Sequence, residues 1–74
     1  MSRVLHLLKG NDPALALAVV AQQKAAGDEI TVVLLPGTPA PSLPAGVALH
    51  HVPAELSWEA LLEHIFAADH VITW

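Results

Sequence analysis

The segment RVLHLLKGNDPALALAVV, residues 3–20, decides the fold that we predict for this chain. It begins with an apolar run over residues 3–8 that is hydrophobic at both odd and even positions, the pattern of a strand covered on both faces. Gly10 frees the backbone for a turn, Asp12 is suited to cap a helix, and Pro13 is suited to be its first residue. The segment therefore predicts the first half of a βαβ unit.

The pattern continues along the chain. The predicted helix covers residues 13–26, and Gly27 is a natural residue to follow its C-terminus. A second strand with two apolar faces, EITVVLL, is predicted over residues 29–35. The prolines of residues 36–46 exclude a helix, and a segment of that length reaches far enough to start a parallel strand over residues 47–52. A hairpin is the alternative, although hairpin connections are normally shorter.

A second helix and a fourth strand complete the predicted fold. Ser57 is the expected N-cap of the helix, and strand 4 is expected over residues 70–74. Helical spacing places five apolar residues on one stripe: Trp58, Leu61, Leu62, Ile65 and Phe66. The prediction is a small open parallel α/β sheet of four strands in the order 2-1-3-4, with strands 1 and 3 central and one helix on each face.

Composition indicates a chain that associates with others. Its 74 residues, 54% hydrophobic and 14% charged with a mean hydropathy of +0.54, leave room for one domain, residues 1–74. A domain of this size is marginally stable alone, and so apolar a composition is unusual for a small monomer. We therefore expect a homo-oligomer or a subunit of a hetero-oligomer.

Several classes of function are disfavoured by residue content. The net charge is −4 and the basic residues are Arg3, Lys9 and Lys24, too few for direct binding of nucleic acid. The chain has no cysteine, hence no thiol nucleophile and no cysteine-based zinc site. No apolar run is long enough for a membrane span and none resembles a signal peptide, so we expect a cytoplasmic protein that does not bind membranes.

Residues after strands 1 and 3 are the candidates for a ligand crevice. In the predicted order the crevice lies between residues 10–12 and residues 53–55, where Asn11 and His51 are available to a small molecule. The Gly-Asn-Asp turn lacks the spacing of a phosphate-binding loop, and a turn with a helix cap explains it. A homo-oligomeric small-molecule-binding module is thus an alternative function.

The five histidines do not form a predicted catalytic or metal site. His50 and His51 are adjacent in a strand and point to opposite faces, so they cannot bind one ion together. His6, internal to strand 1, is expected to be a hydrogen-bonded core or interface histidine. An enzyme using His6 or His51 is the third hypothesis, with no substrate indicated. We expect no catalysis, metal or cofactor, and the candidate ligand or interface residues are His6, Asn11, His51 and Trp74.

The two ends of the chain resemble a known family. The opening VLHLL, residues 4–8, leading to Pro13, resembles the first strand of the DsrH/TusB proteins, a branch of the DsrE/DsrF/DsrH superfamily. The closing DHVITW, residues 69–74, is similar to the family's last strand, which commonly finishes with Trp. The middle is shorter than in the family. Some members carry a cysteine at the position of Ala68, so a sulfur-carrying role there does not transfer.

The resemblance implies a shortened, DsrE/TusB-like member of a cytoplasmic sulfur relay. TusB-type chains look like non-catalytic accessory or structural subunits. Their complexes move persulfide sulfur toward 2-thiouridine at the wobble position of tRNA. The resemblance also implies partners: the sulfur-bearing cysteine belongs to DsrE/DsrF-like subunits with which such chains form hetero-oligomers.

Overall fold

A computed structural model describes residues 2–9 and 14–74 and shows an α/β architecture with a four-stranded parallel sheet. The predicted helix start at Gly10, Asp12 and Pro13 lies outside the described residues. The elements in chain order are β1 (Arg3–Leu8), α1 (Ala14–Ala25), β2 (Glu29–Leu34), β3 (Ala48–His51), α2 (Trp58–Ala67) and β4 (His70–Thr73).

The fold class is confirmed, but the predicted strand order is wrong. The observed order is β3-β2-β1-β4, so β1 and β2 are the central strands instead of strands 1 and 3. β3 lies beside β2 because strands consecutive in sequence tend to be neighbours, and α2 then carries the chain to the far side of β1. Burial agrees with this order, since β1 and β2 are mostly buried whereas β3 and β4 contain no buried residue.

Each face of the sheet has its own hydrophobic cluster. On one face, Ala16 and Val20 of α1 pack over alternate residues of the central strands, including Val4 and Val32. On the other face, Leu61 of α2 packs with Leu5, Val33 and Val52. Successive side chains of β1 and β2 point to opposite faces of the sheet and so contribute to both clusters. This explains why these strands are apolar at both odd and even positions.

The proline-rich segment between β2 and β3 replaces a crossover helix. Leu43 and Val47 from this segment pack against the cluster on the α1 face. Its first turn is held by the Thr38 hydroxyl, which donates to the Leu8 carbonyl oxygen at 3.2 Å. β3 is parallel, as predicted, but its neighbour is β2 and not the predicted strand 1.

Both predicted helix caps that the structure describes are confirmed. After α1, the Gly27 amide donates to the Lys24 carbonyl at 3.0 Å and the Asp28 amide to the Gln23 carbonyl at 3.1 Å, with Gly27 at φ 90°. This is a Schellman motif, in which glycine adopts the left-handed conformation at little cost. At the start of α2 the Ser57 hydroxyl accepts a hydrogen bond from the Ala60 amide at 3.0 Å.

Two aspartates fix the start of β1. The Asp28 carboxylate accepts from the Ser2 amide at 3.2 Å, and the Asp69 carboxylate accepts from the Arg3 amide at 2.8 Å. Each aspartate stands just before a strand that pairs with β1, so the neighbouring strands hold its first residues from opposite sides. Across residues 2–9 and 14–74, no helix is long and apolar enough to cross a bilayer.

We predict that amide hydrogen exchange distinguishes the observed strand order from the order 2-1-3-4. Amides of Val32 and Val33 on β2 should exchange only with global unfolding, because β2 is hydrogen-bonded on both sides. At the free side of β3, exchange should be at least about tenfold faster, as expected for local opening at a sheet edge. Residue-resolved NMR exchange measures both rates, and faster exchange on β2 than on β3 would contradict the observed order.

Candidate functional site

The fully buried His6 is hydrogen-bonded through both imidazole nitrogens. Its Nε2 lies 2.7 Å from Oε1 of Gln23 on α1, and its Nδ1 lies 2.9 Å from the indole Nε1 of Trp74. An indole N–H only donates, so Nδ1 is the acceptor and the imidazole proton is on Nε2, where it donates to the Gln23 amide oxygen. His6 is therefore a neutral, fully satisfied imidazole.

The secondary structure explains why these three side chains meet. His6 belongs to the set of β1 residues that point toward α1, together with Val4 and Leu8. Gln23 lies seven residues after Ala16, and this helical spacing returns it to the face of α1 that covers the sheet. Trp74 follows β4, where its amide donates to the Leu7 carbonyl at 2.9 Å.

The ring geometry matches an in-plane hydrogen bond between His6 and Trp74. The ring planes differ by 12° and the centroids are 6.1 Å apart, so the two rings lie nearly parallel. Because the Nδ1 lone pair lies in the imidazole plane, a coplanar indole N–H is well directed toward it. The predicted hydrogen-bonded core histidine is confirmed. With both nitrogens engaged, His6 offers no free base, nucleophile or metal ligand.

Among the other predicted site residues, His51 does not join this cluster. His51 lies on β3, which β2 separates from β1, and Asn11 lies outside the described residues. The observed order reverses between β1 and β4, so the crevice predicted beside residues 53–55 is wrongly placed. By the same topological rule, a crevice belongs beyond the carboxyl ends of β1 and β4. His6 and Trp74 are thus the predicted residues that the structure brings together.

His51 forms a local hydrogen-bonded pair with Glu55 at the end of β3. Glu55 accepts hydrogen bonds from the His51 ring Nδ1 and, at 3.0 Å, from the His51 backbone amide. The side-chain hydrogen bond is the main cause that lowers the pKa of Glu55, and the backbone hydrogen bond adds to it. Both groups are well exposed, so the pair organises the turn after β3 and contributes little to stability.

A second histidine contact was not foreseen from the sequence. His50 on β3 and His64 on α2 have ring centroids 5.9 Å apart. The signal was present: His50 shares the strand face of Val52, and His64 follows the core residue Leu61 by one helical turn. In the part of the chain that the structure describes, no group of three or more histidine, aspartate or glutamate residues could hold a metal ion.

A cavity of about 300 Å³ lies at the amino-terminal end of the sheet under α2. Its lining includes Arg3, Leu5, Glu29, Thr31 and His64. The Arg3 guanidinium pairs with the Glu29 carboxylate at 3.5 Å, so the charges at its mouth balance each other. Ligand sites of parallel α/β sheets lie at the opposite, carboxyl end, and this cavity therefore does not match such a site.

An exposed apolar surface runs along α2 beside β4. Trp58, Leu62 and Phe66 follow one another at intervals of four residues and are 54%, 51% and 78% exposed, and Val71 on β4 is 40% exposed. We call these four residues the α2–β4 surface. The sequence predicted one amphipathic stripe of five residues, of which Leu61 is buried and Ile65 is half-buried. A four-stranded sheet is too narrow to cover so wide a stripe.

Comparison of this chain with known proteins identifies no related family. The chain matches no protein-family model, no curated protein and no solved structure.

We predict that Trp74→Phe lowers the free energy of unfolding by about 1–3 kcal/mol, because it leaves the buried Nδ1 of His6 without a donor. The control is Leu15→Ala, at an exposed position of α1, which should change stability by less than about 0.5 kcal/mol. Urea denaturation measures both values. Equal, small effects would show that the indole N–H is not needed by His6.

We predict that the lowered pKa of Glu55 returns toward its ordinary value in His51→Ala. Since the pKa is lower in the folded state, the stabilisation is present above the unfolded-state pKa and is lost as the pH falls through the folded-state pKa. NMR titration of the Glu55 side chain measures the change. His50→Ala is the control: it removes a minor electrostatic contribution and should move the pKa less. The opposite ranking of the two variants would disprove the assignment.

Proposed function

We propose that this chain is a non-catalytic accessory or structural subunit of a cytoplasmic sulfur-relay complex, of the DsrH/TusB type, that serves 2-thiouridine formation in tRNA. The observation that carries the proposal is the contact between His6 and Trp74. These residues belong to the two sequence segments, residues 4–8 and 69–74, on which the resemblance to that family rests.

The contact gives a physical reason for the two segments to occur together. A histidine buried in β1 needs a donor for Nδ1, and the tryptophan after β4 supplies it at 2.9 Å. The segments therefore form one structural unit although 68 residues separate His6 from Trp74. This supports a scaffold function for the family-like residues and disfavours a chemical one.

The absence of cysteine also supports a structural and non-chemical role for this chain. Persulfide transfer requires a thiol, and this chain has none. In a sulfur relay its contribution is to bind and position a partner subunit that carries the reactive cysteine. A chain with exposed apolar side chains on α2 is suited to such assembly.

We predict that the tagged chain, expressed at its native level, copurifies with a cysteine-bearing DsrE/DsrF-like subunit, and that its deletion lowers 2-thiouridine in tRNA. Mass spectrometry identifies the partner and quantifies the modified nucleoside. Copurification without any cysteine-bearing DsrE/DsrF-like chain, or unchanged thiolation after deletion, would contradict the proposal.

A triple variant separates structural from chemical use of His6. His6→Leu, Gln23→Leu and Trp74→Phe together remove every polar atom of the network, and removing hydrogen-bond partners jointly costs far less than leaving one unpaired. We expect this variant to fold and to restore thiolation in the deletion strain. His6→Leu alone is the matched control that leaves Gln23 and Trp74 unpaired. Loss of thiolation by a folded, assembled triple variant would assign chemistry to His6.

A further inference from the structure

The α2–β4 surface borders an edge of the sheet. Within the described residues, β4 pairs with β1 on one side and with no strand on the other. The Trp74 amide donates inward to Leu7, and successive amides of a strand alternate in direction. The amides of Val71 and Thr73 therefore point outward, where they are available to another strand.

The exposed stripe of α2 lies on the same side as this edge. Leu61 faces the sheet, and with 100° of rotation per residue His64 lies about 60° to one side of it and Leu62 about 100° to the other. His64 contacts His50 on β3, so the side of α2 that carries Leu62 is turned toward β4. Because Leu61 packs over β1 and β2, the stripe overhangs β4 and its half-exposed Val71.

We propose that the occupant of the α2–β4 surface is a second copy of this chain, bound through antiparallel pairing of the two β4 strands. The proposal rests on the proposed function as an assembling subunit and names its first partner. A two-fold axis normal to the sheet extends it to eight strands and keeps both α2 helices on one face. Leu62, at the centre of the stripe, then meets its own copy, and Trp58 meets Phe66.

Charge favours this self-association. The four residues of the surface carry no formal charge, although the chain as a whole has a net charge of −4. The carboxylates of α2, Glu59 and Glu63, lie about 160° and 200° around the helix from Leu61, toward solvent and at the rim of the stripe. Rim charges remain hydrated, so two copies meet without burying like charges.

The exposed apolar area approaches what a dimer interface needs. An aromatic side chain has an accessible area of about 200 Å². The exposed parts of Trp58 and Phe66 therefore add up to about 260 Å² per chain, or about 500 Å² for two chains. Leu62, Val71 and the strand edge bring the total toward the roughly 1,000 Å² that a specific interface needs. Antiparallel strand pairing also satisfies the outward amides, which a contact through helices alone would leave to water.

The test is the mass of the purified full chain in solution, measured by light scattering or sedimentation across a dilution series. We expect twice 7.8 kDa. Leu62→Glu places two carboxylates opposite each other at the axis and should weaken the dimer at least about tenfold. Leu15→Glu is the matched control, because Leu15 is 68% exposed on α1 at the opposite face of the sheet, and it should leave the dimer intact. Far-UV circular dichroism checks that both variants fold.

Thr73→Pro tests the strand pairing itself. It removes an outward amide that β1 does not use, so the monomer fold should persist while the dimer weakens. A monomeric wild-type chain, or a dimer insensitive to Leu62→Glu, would overturn the inference. A monomer that binds a cysteine-bearing subunit through Leu62 would also overturn it but leave the proposed function standing. A dimer in cells with no sulfur-relay partner would support the inference and contradict the proposed function.

Discussion

A buried imidazole in a central strand must have partners for both nitrogens, and in this protein that requirement connects distant parts of the chain. His6 is hydrogen-bonded to Gln23 of α1 on one side and to Trp74 at the end of β4 on the other. The packing of α1 and the position of the last strand are thereby coupled through one side chain. An apolar residue at this position would pack equally well but would not specify which helix face and which tryptophan lie against it.

Local signals in the sequence predict the elements well and the strand order poorly. Ser57 and Gly27 mark helix ends through short-range hydrogen bonds, which sequence spacing specifies. The strand order depends on how residues 36–46 cross the sheet, which local pattern does not determine. The better guide was composition: β2, EITVVL, has apolar residues on both faces and ends in the apolar run Val32–Leu34, whereas β3, ALHH, is half histidine. A strand with two apolar faces belongs in the centre of the sheet.

The sequence predicts which residues belong to the candidate site, but not which of them contact each other. His6 could be assigned to the core because it stands within an apolar strand. Its partners are 17 and 68 residues away, and a pairing over that distance follows from the tertiary fold alone. The sequence predicted the stripe of α2 but not which of its residues are buried. Its five apolar residues span more of the helix circumference than a narrow sheet covers, and periodicity does not say which part stays exposed.

Interpreting His6 as scaffold changes where function should be sought. Among residues 2–9 and 14–74, His6 is the buried polar side chain, and both of its ring nitrogens are engaged. The surface bears few charges, and its apolar stripe lies beside the outer edge of β4, which pairs with no other strand of the described residues. The proposed scaffold function rests on these surface properties.

The aspartates before β2 and β4 have a consequence for the fidelity of folding. Asp28 and Asp69 accept the amides of Ser2 and Arg3, so each side of β1 has a fixed starting point. A slip of β1 by one residue would turn His6 to the α2 face and bring Leu5 or Leu7 into its place. Both carboxylates would lose their amides in the same movement. The two aspartates therefore favour the observed register of β1. They disfavour shifted registers, in which His6 has no hydrogen-bond partners.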